Sequence, residues 1–455
     1  MLSYASIGVL LLASCYGQPG TATSNTAPAH DTVQLKLASG PILANQENGV
    51  IYARGIRYAT AERFEKPVPV EPWTDIRDYT QPATICPQNP SRFDFLTGSL
   101  TANRPQSEDC LHVSVAAPAN ASNLPVMVFI HGGAYLGGGG DLDVYSPVPL
   151  AQRGAVVVTI THRLGLLGYL PIQDVAPANL GLFDQIEALR WVKKNAASFG
   201  GDSGSVTLFG QSAGADSVFA LLATDNTENL FHRAILESAP LGRLNETTRD
   251  DMTAAMSEYA SANISSSRLP PTLEQLLALQ TAVLVVARPI DPTILAYGPV
   301  FGEEPLPPLS APSQAIDTAA KRVPVFIGYN KDEGSAFAII DPSQTAEWYK
   351  TNVFENGSNQ LAKNISDATG HMPPMYHFNW SPPDSPWGAA HTIELPFLLG
   401  GWDAWAGAPM LNGSGSRGVV ENLGMEVKDL WIACAKGEDL EGRLFVIDEG
   451  FEFAS

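Results

Sequence analysis

A serine with a glycine two residues away on either side, Gly210-Gln211-Ser212-Ala213-Gly214, follows directly on the apolar run Val206-Thr207-Leu208-Phe209 and precedes a helical stretch from Ala215 to Leu222. A strand-to-helix turn this tight needs a residue without Cβ on each side of the serine, because a side chain there would strike neighbouring backbone. Such a turn pushes the hydroxyl outward and sets the Ala213 N–H at a helix N-terminus, where negative charge is favoured. It is the only G-x-S-x-G present, although a chain with 40 glycines can produce one by chance. A second segment, His131-Gly132-Gly133-Ala134-Tyr135, follows the apolar run Val126 to Ile130. Consecutive small residues let the N–H groups of Gly133 and Ala134 converge with that of Ala213 on one oxyanion. Loss of one such donor typically costs about 3 kcal/mol of transition-state stabilisation. Gly137 to Gly140, just beyond, also read simply as a flexible loop. These residues suit attack of an activated hydroxyl on an acyl carbonyl, which further requires a base and a carboxylate to orient the base.

The segments that must hold these groups have a recognisable rhythm. Val126 to Ile130 and Ala155 to Ile160 are continuous apolar runs, as expected of strands buried on both faces. Val206 to Phe209, Ala234 to Leu236 and Val323 to Ile327 repeat the pattern. Leu182, Ile186, Leu189, Val192 and Ala196 recur at spacings of 4, 3, 3 and 4, which marks one face of a helix. Strands alternating with helices in this way predict an α/β fold with a mostly parallel central sheet and helices on both faces. Ligands in such sheets bind beyond the carboxyl ends of the strands, where both reactive segments lie. Residues 244 to 320 mix helical patterns with proline-rich loops and predict an insertion over the sheet edge.

Composition narrows the class. The chain has 455 residues, 45% hydrophobic and 16% charged, as in an ordinary globular protein. A formal net charge of −20 repels nucleic acid phosphates and anionic membranes, so neither is expected as a partner. A short apolar run from Ile7 to Ala13, followed by small residues, predicts an export signal over residues 1–17, a loose polar segment over 18–32 and one domain over 33–455. Leu12-Ala13-Ser14-Cys15 also resembles a bacterial lipoprotein cleavage box. Seven N-x-[ST] sequons, at Asn120, Asn245, Asn263, Asn356, Asn364, Asn379 and Asn412, favour a secreted glycoprotein instead. No later apolar run approaches a membrane span. In an oxidising compartment Cys86 and Cys110 are expected to pair across 24 positions, while Cys434, in an apolar stretch, reads as a buried free thiol. No Cys/His spacing suggests a metal, and no cofactor is implied.

Further segments add a resemblance. Gly55-Ile56-Arg57-Tyr58-Ala59, Glu108-Asp109-Cys110-Leu111, Arg163-Leu164-Gly165, Asn179-Leu180-Gly181-Leu182-Phe183-Asp184-Gln185 and Phe199-Gly200-Gly201-Asp202 occur in that order before the serine turn. With them the chain resembles the type-B carboxylesterases, the family of cholinesterases and fungal esterases and lipases, from about residue 38 to the C-terminus. The resemblance implies an α/β-hydrolase fold and two-step hydrolysis of small-molecule carboxylic esters. It also implies the missing partners. Lys331-Asp332-Glu333-Gly334 matches the segment whose glutamate is the triad acid, with Asp332 read as a neighbour facing solvent. Gly388-Ala389-Ala390-His391-Thr392-Ile393-Glu394 matches the segment carrying the base, His391. Of the other histidines, His131 is read as shaping the oxyanion loop and His377 as structural. His30, His112, His162 and His232 are read as surface or core, and His371 as a rival without a motif.

Two departures stand out. Glu333 and His391 are only 58 positions apart, closer than in longer relatives, and Gln211 stands where many relatives carry glutamate. The loop between Cys86 and Cys110 carries Phe93, Phe95 and Leu96; its shortness favours an esterase over a triacylglycerol lipase with a long lid. A catalytically inactive binding protein of the same fold is the remaining alternative, and such relatives usually lack the serine or the histidine.

Overall fold

The computed structural model describes residues 31–453 except 225–226, 228, 244–245, 266–270, 292–294 and 309–320. The expected export signal, His30 and Asn245 lie outside the described residues. The strands are β1 (Asp31–Lys36), β2 (Pro41–Glu47), β3 (Val50–Arg57), β4 (Ala59–Thr60), β5 (Val68–Pro69), β6 (Arg77–Asp78) and β7 (His112–Pro118). They continue with β8 (Leu124–Ile130), β9 (Val156–Ile160), β10 (Gly201–Gln211), β11 (Arg233–Glu237), β12 (Val325–Asn330), β13 (Met375–Phe378) and β14 (Leu444–Ile447). The main sheet runs β1-β2-β3-β7-β9-β8-β10-β11-β12-β13-β14, with β6 beside β2. Pairings from β1 through β7 to β9 are antiparallel; every pairing from β9 to β14 is parallel.

The apolar runs read from the sequence are the central parallel strands, and their continuity has a plain cause. Val126, Val128 and Ile130 of β8 point into one core layer, Met127 and Phe129 into the other. A strand covered by helices on both faces needs apolar residues at every position. The helix Leu180–Asn195 presents its predicted stripe, Leu182, Ile186, Leu189 and Val192, to the first layer. Two boundaries shift. Asp31 and Thr32, expected in a loose segment, already pair with Gln46 and Asn45 of β2. The strand expected from Val323 begins at Val325, because Pro324 has no N–H to give the ladder; its carbonyl still accepts from Ala234 N at 3.0 Å.

The insertion contributes helices Glu246–Ser265 and Leu273–Ala287. Their apolar residues, among them Met252, Met256, Leu276 and Val283, pack with Tyr135, Leu166, Tyr169 and Ala213. It therefore covers the carboxyl ends of the central strands rather than the sheet edge, because the loops there offer the apolar surface its helices must bury. Several charged residues near the disulfide and the strand ends are held in ion pairs. Arg57 binds Asp109, Arg63 binds Glu108, and buried Arg163 holds Asp184 through two bonds of 2.8 and 2.7 Å. Cys86 and Cys110 form the expected disulfide, and Cys434 is buried and free. Among the described residues no helix is long and apolar enough to cross a membrane.

Candidate active site

The chain leaves β8 for β9 on one side and reaches β10 on the other, so β8 and β10 are neighbours whose following loops separate to opposite flanks. A crevice opens at such a reversal of strand order. Ser212 follows β10 at φ 56° and ψ −122°, a strained conformation, and the helix Ala213–Ala223 starts immediately after it. The flanking glycines are sterically required. A Cβ on Gly210 would lie 2.6 Å from the Gly214 carbonyl carbon, and one on Gly214 would lie 2.0 Å from Ile130 O. The Ser212 N–H donates to Glu237 O at 2.9 Å, pinning the turn to β11.

The loop after β8 brings Gly133, Ala134 and Tyr135 alongside, with Ala134 and Tyr135 at φ 55° and 59°. Among the described residues, none of the N–H groups of Gly133, Ala134 and Ala213 is spent on another hydrogen bond. Three donors left free beside a strained serine are what an oxyanion requires. Tyr135 anchors the loop: its hydroxyl donates to Asp216 Oδ2 at 2.9 Å, and its carbonyl accepts from Gly165 N at 2.6 Å.

β12 and β13 deliver the other two groups. Glu333 sits at the start of the helix Gly334–Ile340, wholly buried, and His391 lies on the loop that follows β13. His391 Nδ1 and Glu333 Oε2 are 2.5 Å apart, and Glu333 Oε1 accepts from Asn330 N at 2.8 Å. The carboxylate can only accept, so Nδ1 carries the proton and Nε2 faces the cavity as a base. Three rings enclose the imidazole: Phe354 at 4.9 Å, Phe337 at 5.1 Å and Phe93 at 6.4 Å between centroids. Asp332, expected to face solvent, instead accepts from Ala389 N at 2.9 Å and ties the histidine loop to the glutamate turn. Ala389 is buried, so its N–H needs an acceptor, and the Asp332 carboxylate supplies it.

A cavity of about 60 Å³ joins Ser212, His391, Gln211, Gly132, Gly133 and Ala134, and is walled by Phe93, Thr97 and Leu100 of the disulfide loop and by Tyr145. Of the residues named from the sequence, Ser212, His391, Gly133 and Ala134 line this cavity, Ala213 follows Ser212 and Glu333 stands behind His391, with Ser212 6% and His391 2% exposed. A second layer of carboxyls escaped the sequence reading. Glu394 accepts from Asn330 Nδ2 at 2.5 Å; burial and then the charge of Glu333 push its carboxyl up to about 7. Burial and Glu394 hold Glu237 well above the usual carboxylate range, and its Oε1 accepts from Trp431 Nε1 at 2.6 Å. No spacing pattern links residues 237, 330, 394 and 431, so only the fold could reveal them. His131 stacks on His162 with centroids 4.6 Å apart. Burial, reinforced by His162, pushes His131 down to about 3, and burial pushes His162 down to about 4. Both rings are neutral, and neither lines the cavity that holds Ser212. His112 is also buried, His377 lies in β13, and His371 pairs with Glu441 at the surface.

The sheet is that of the α/β-hydrolase fold, with the serine turn and the buried imidazole–carboxylate pair gathered beyond its strand ends. The carboxylesterase family profile matches residues 31–384. The para-nitrobenzyl esterase of Bacillus subtilis is 34% identical over 439 residues, covering 87% of this chain and 88% of that one. A probable N-octanoylanthranilate hydrolase of Rhodococcus erythropolis is 36% identical over 401 residues, covering 83% and 87%. Among solved structures, a thermophilic para-nitrobenzyl esterase superposes with a TM-score of 0.73 at 29% identity, covering 91% of this chain and 96% of the other. The chain belongs to the carboxylesterase family, and it is a carboxylic ester hydrolase.

Proposed function

We propose that the protein hydrolyses esters through an acyl-enzyme on Ser212, with His391 as general base and acid and Glu333 as the orienting carboxylate. The observation that carries this reading is the buried 2.5 Å pair of His391 Nδ1 and Glu333 Oε2, opening on the same small cavity as Ser212 and three free N–H donors. In the first step His391 Nε2 takes the Ser212 proton as Oγ bonds to the ester carbonyl carbon. The carbonyl oxygen, now negative, accepts from Gly133, Ala134 and Ala213 N–H. The tetrahedral intermediate collapses, the alcohol leaves with the proton held on His391, and Ser212 keeps the acyl group. Water then repeats the sequence and releases the acid. Glu333 stabilises the imidazolium in both halves without accepting the proton.

The substrate range proposed is small, soluble esters. The disulfide loop does not read as a swinging lid: Asn89 Nδ2 donates to Leu277 O at 3.1 Å, and Phe93 packs edge-on against Phe337 at 5.3 Å. Leu96 is buried in the main core. We further propose that the chain is exported, on the strength of its apolar N-terminal run, its disulfide and its sequons. The testing experiment is hydrolysis of p-nitrophenyl esters of increasing acyl length by the purified protein, with Ser212→Ala beside it. Turnover that vanishes in the variant supports the serine mechanism. Residual turnover at wild-type rate in Ser212→Ala would overturn it, and preference for emulsified long-chain esters would overturn the proposed range.

A further inference from the structure

The residue before the nucleophile has its own place in the site. Gln211 ends β10, is buried to 1% exposure, and therefore cannot turn its side chain to solvent. Its Nε2 lies 3.4 Å from His391 Nε2. Room for the amide is made by Gly132, where a Cβ would stand 2.9 Å from Gln211 Oε1 and 2.7 Å from Gln211 O. Among the described residues Ser212 Oγ makes no hydrogen bond, and the side-chain contact on His391 Nε2 is the amide's.

The chemistry of the two groups fixes the sense of the contact. Glu333 requires the proton on Nδ1, which leaves Nε2 of the neutral ring with a lone pair and no hydrogen. An amide nitrogen, which only donates, suits that lone pair; an amide oxygen would face it lone pair to lone pair. When His391 takes the serine proton, Nε2 acquires a hydrogen and the donor opposite becomes repulsive. We propose that Gln211 is a positioning residue, which occupies His391 Nε2 in the resting enzyme, holds the ring in its accepting tautomer, and yields that place to Ser212 when substrate closes the site. This rests on the serine mechanism proposed above.

The other charged and titratable groups around His391 do not supply this contact. Glu333 faces the opposite nitrogen, Glu394 and Glu237 lie behind it, Tyr145 lines the far wall of the cavity, and Asp94 of the disulfide loop borders the cavity and accepts from Ser99. Among the described residues Gln211 thus supplies the side-chain contact on His391 Nε2, and a carboxylate in its place would do the reverse. It could not donate to neutral Nε2, but would bond the imidazolium.

The test uses protein labelled with ¹⁵N at histidine, with the His391 ring assigned by its loss in His391→Gln. At pH 8 the wild type is expected to show Nδ1 protonated and Nε2 unprotonated, with the Nε2 resonance shifted upfield by an accepted hydrogen bond. Gln211→Met, which keeps length and removes the donor, should move that resonance downfield; Ser212→Ala should leave it in place. Gln211→Glu should raise the acid-limb midpoint of kcat/KM by about one pH unit or more, since an opposite charge within about 4–6 Å favours the protonated ring. An Nε2 signal that moves in Ser212→Ala but not in Gln211→Met would overturn the proposal, as would a proton on Nε2 in the resting enzyme. These signals are read without turnover, so failure of the serine mechanism itself would show separately, as activity surviving Ser212→Ala.

Discussion

Replacing Glu333 by glutamine removes one charge from its buried pair with His391 while keeping its volume. Its consequence can be worked from two bonds. Glu333 Oε1 accepts from Asn330 N at 2.8 Å, so the amide oxygen of a glutamine must take that position to leave no orphaned donor. The amide nitrogen is then turned onto His391 Nδ1, where the carboxylate oxygen lay at 2.5 Å. It donates where an acceptor is needed, so it favours the wrong tautomer and cannot stabilise the imidazolium. The lost attraction, for charge centres about 4 Å apart at an effective dielectric of about 20, is about 4 kcal/mol. That corresponds to roughly a thousandfold in rate, before the tautomer penalty is added. The assay is kcat/KM for p-nitrophenyl acetate at pH 8, with thermal melts confirming that the variant folds. Asp332→Asn is the companion, since an asparagine oxygen can still accept from Ala389 N, and it should retain activity within a few-fold. A folded Glu333→Gln enzyme within about tenfold of wild type would refute the electrostatic argument, because a tenfold loss is only about 1.4 kcal/mol. An Asp332→Asn loss as large as that of Glu333→Gln would show that the loop tie, not the buried charge, was being measured.

Two further outcomes concern stability. His162 is held neutral, pushed down to about 4 by burial, so below its ordinary value of 6.5 the unfolded chain takes up a proton that the native state resists. Stability is therefore full above pH 6.5 and falls with pH until the native ring protonates near 4, by about 1.4 kcal/mol per pH unit for this residue. His162→Phe, which keeps a ring against His131, should flatten that slope in urea unfolding between pH 6.5 and 4.5, and an unchanged slope would exclude His162 as a source. Removing the Cys86–Cys110 bridge by a double serine substitution frees a loop of 24 positions and should cost about 3 kcal/mol in denaturant unfolding under non-reducing conditions. A loss below about 1 kcal/mol would mean that the loop's contacts, such as Asn89 with Leu277, already constrain it without the bridge.

Local chemistry made much of this protein legible in its sequence. The turn around Ser212 and the glycine loop after Ile130 announce themselves because each needs small residues at particular neighbouring positions, and steric need within a few residues leaves a mark in the order of residues. The parallel strands were readable because burial on both faces demands unbroken apolar runs. Glu333 and His391 were different. They were placed by likeness of their surrounding segments to a family, since nothing in a spacing of 58 requires the two side chains to meet. Their meeting is decided by the pairing of β12 with β13 and by the bridge from Asp332 to Ala390, contacts made between segments far apart in the chain. The same holds for the insertion, whose helices could be read but not their seat over Tyr135 and Ala213. The buried carboxyls Glu237 and Glu394, the stacked His131 and His162, and the amide of Gln211 facing the base were invisible for one physical reason. Proton affinity depends on burial and on which groups lie within a few ångströms, and both are properties of the packed tertiary structure, not of the chain's order.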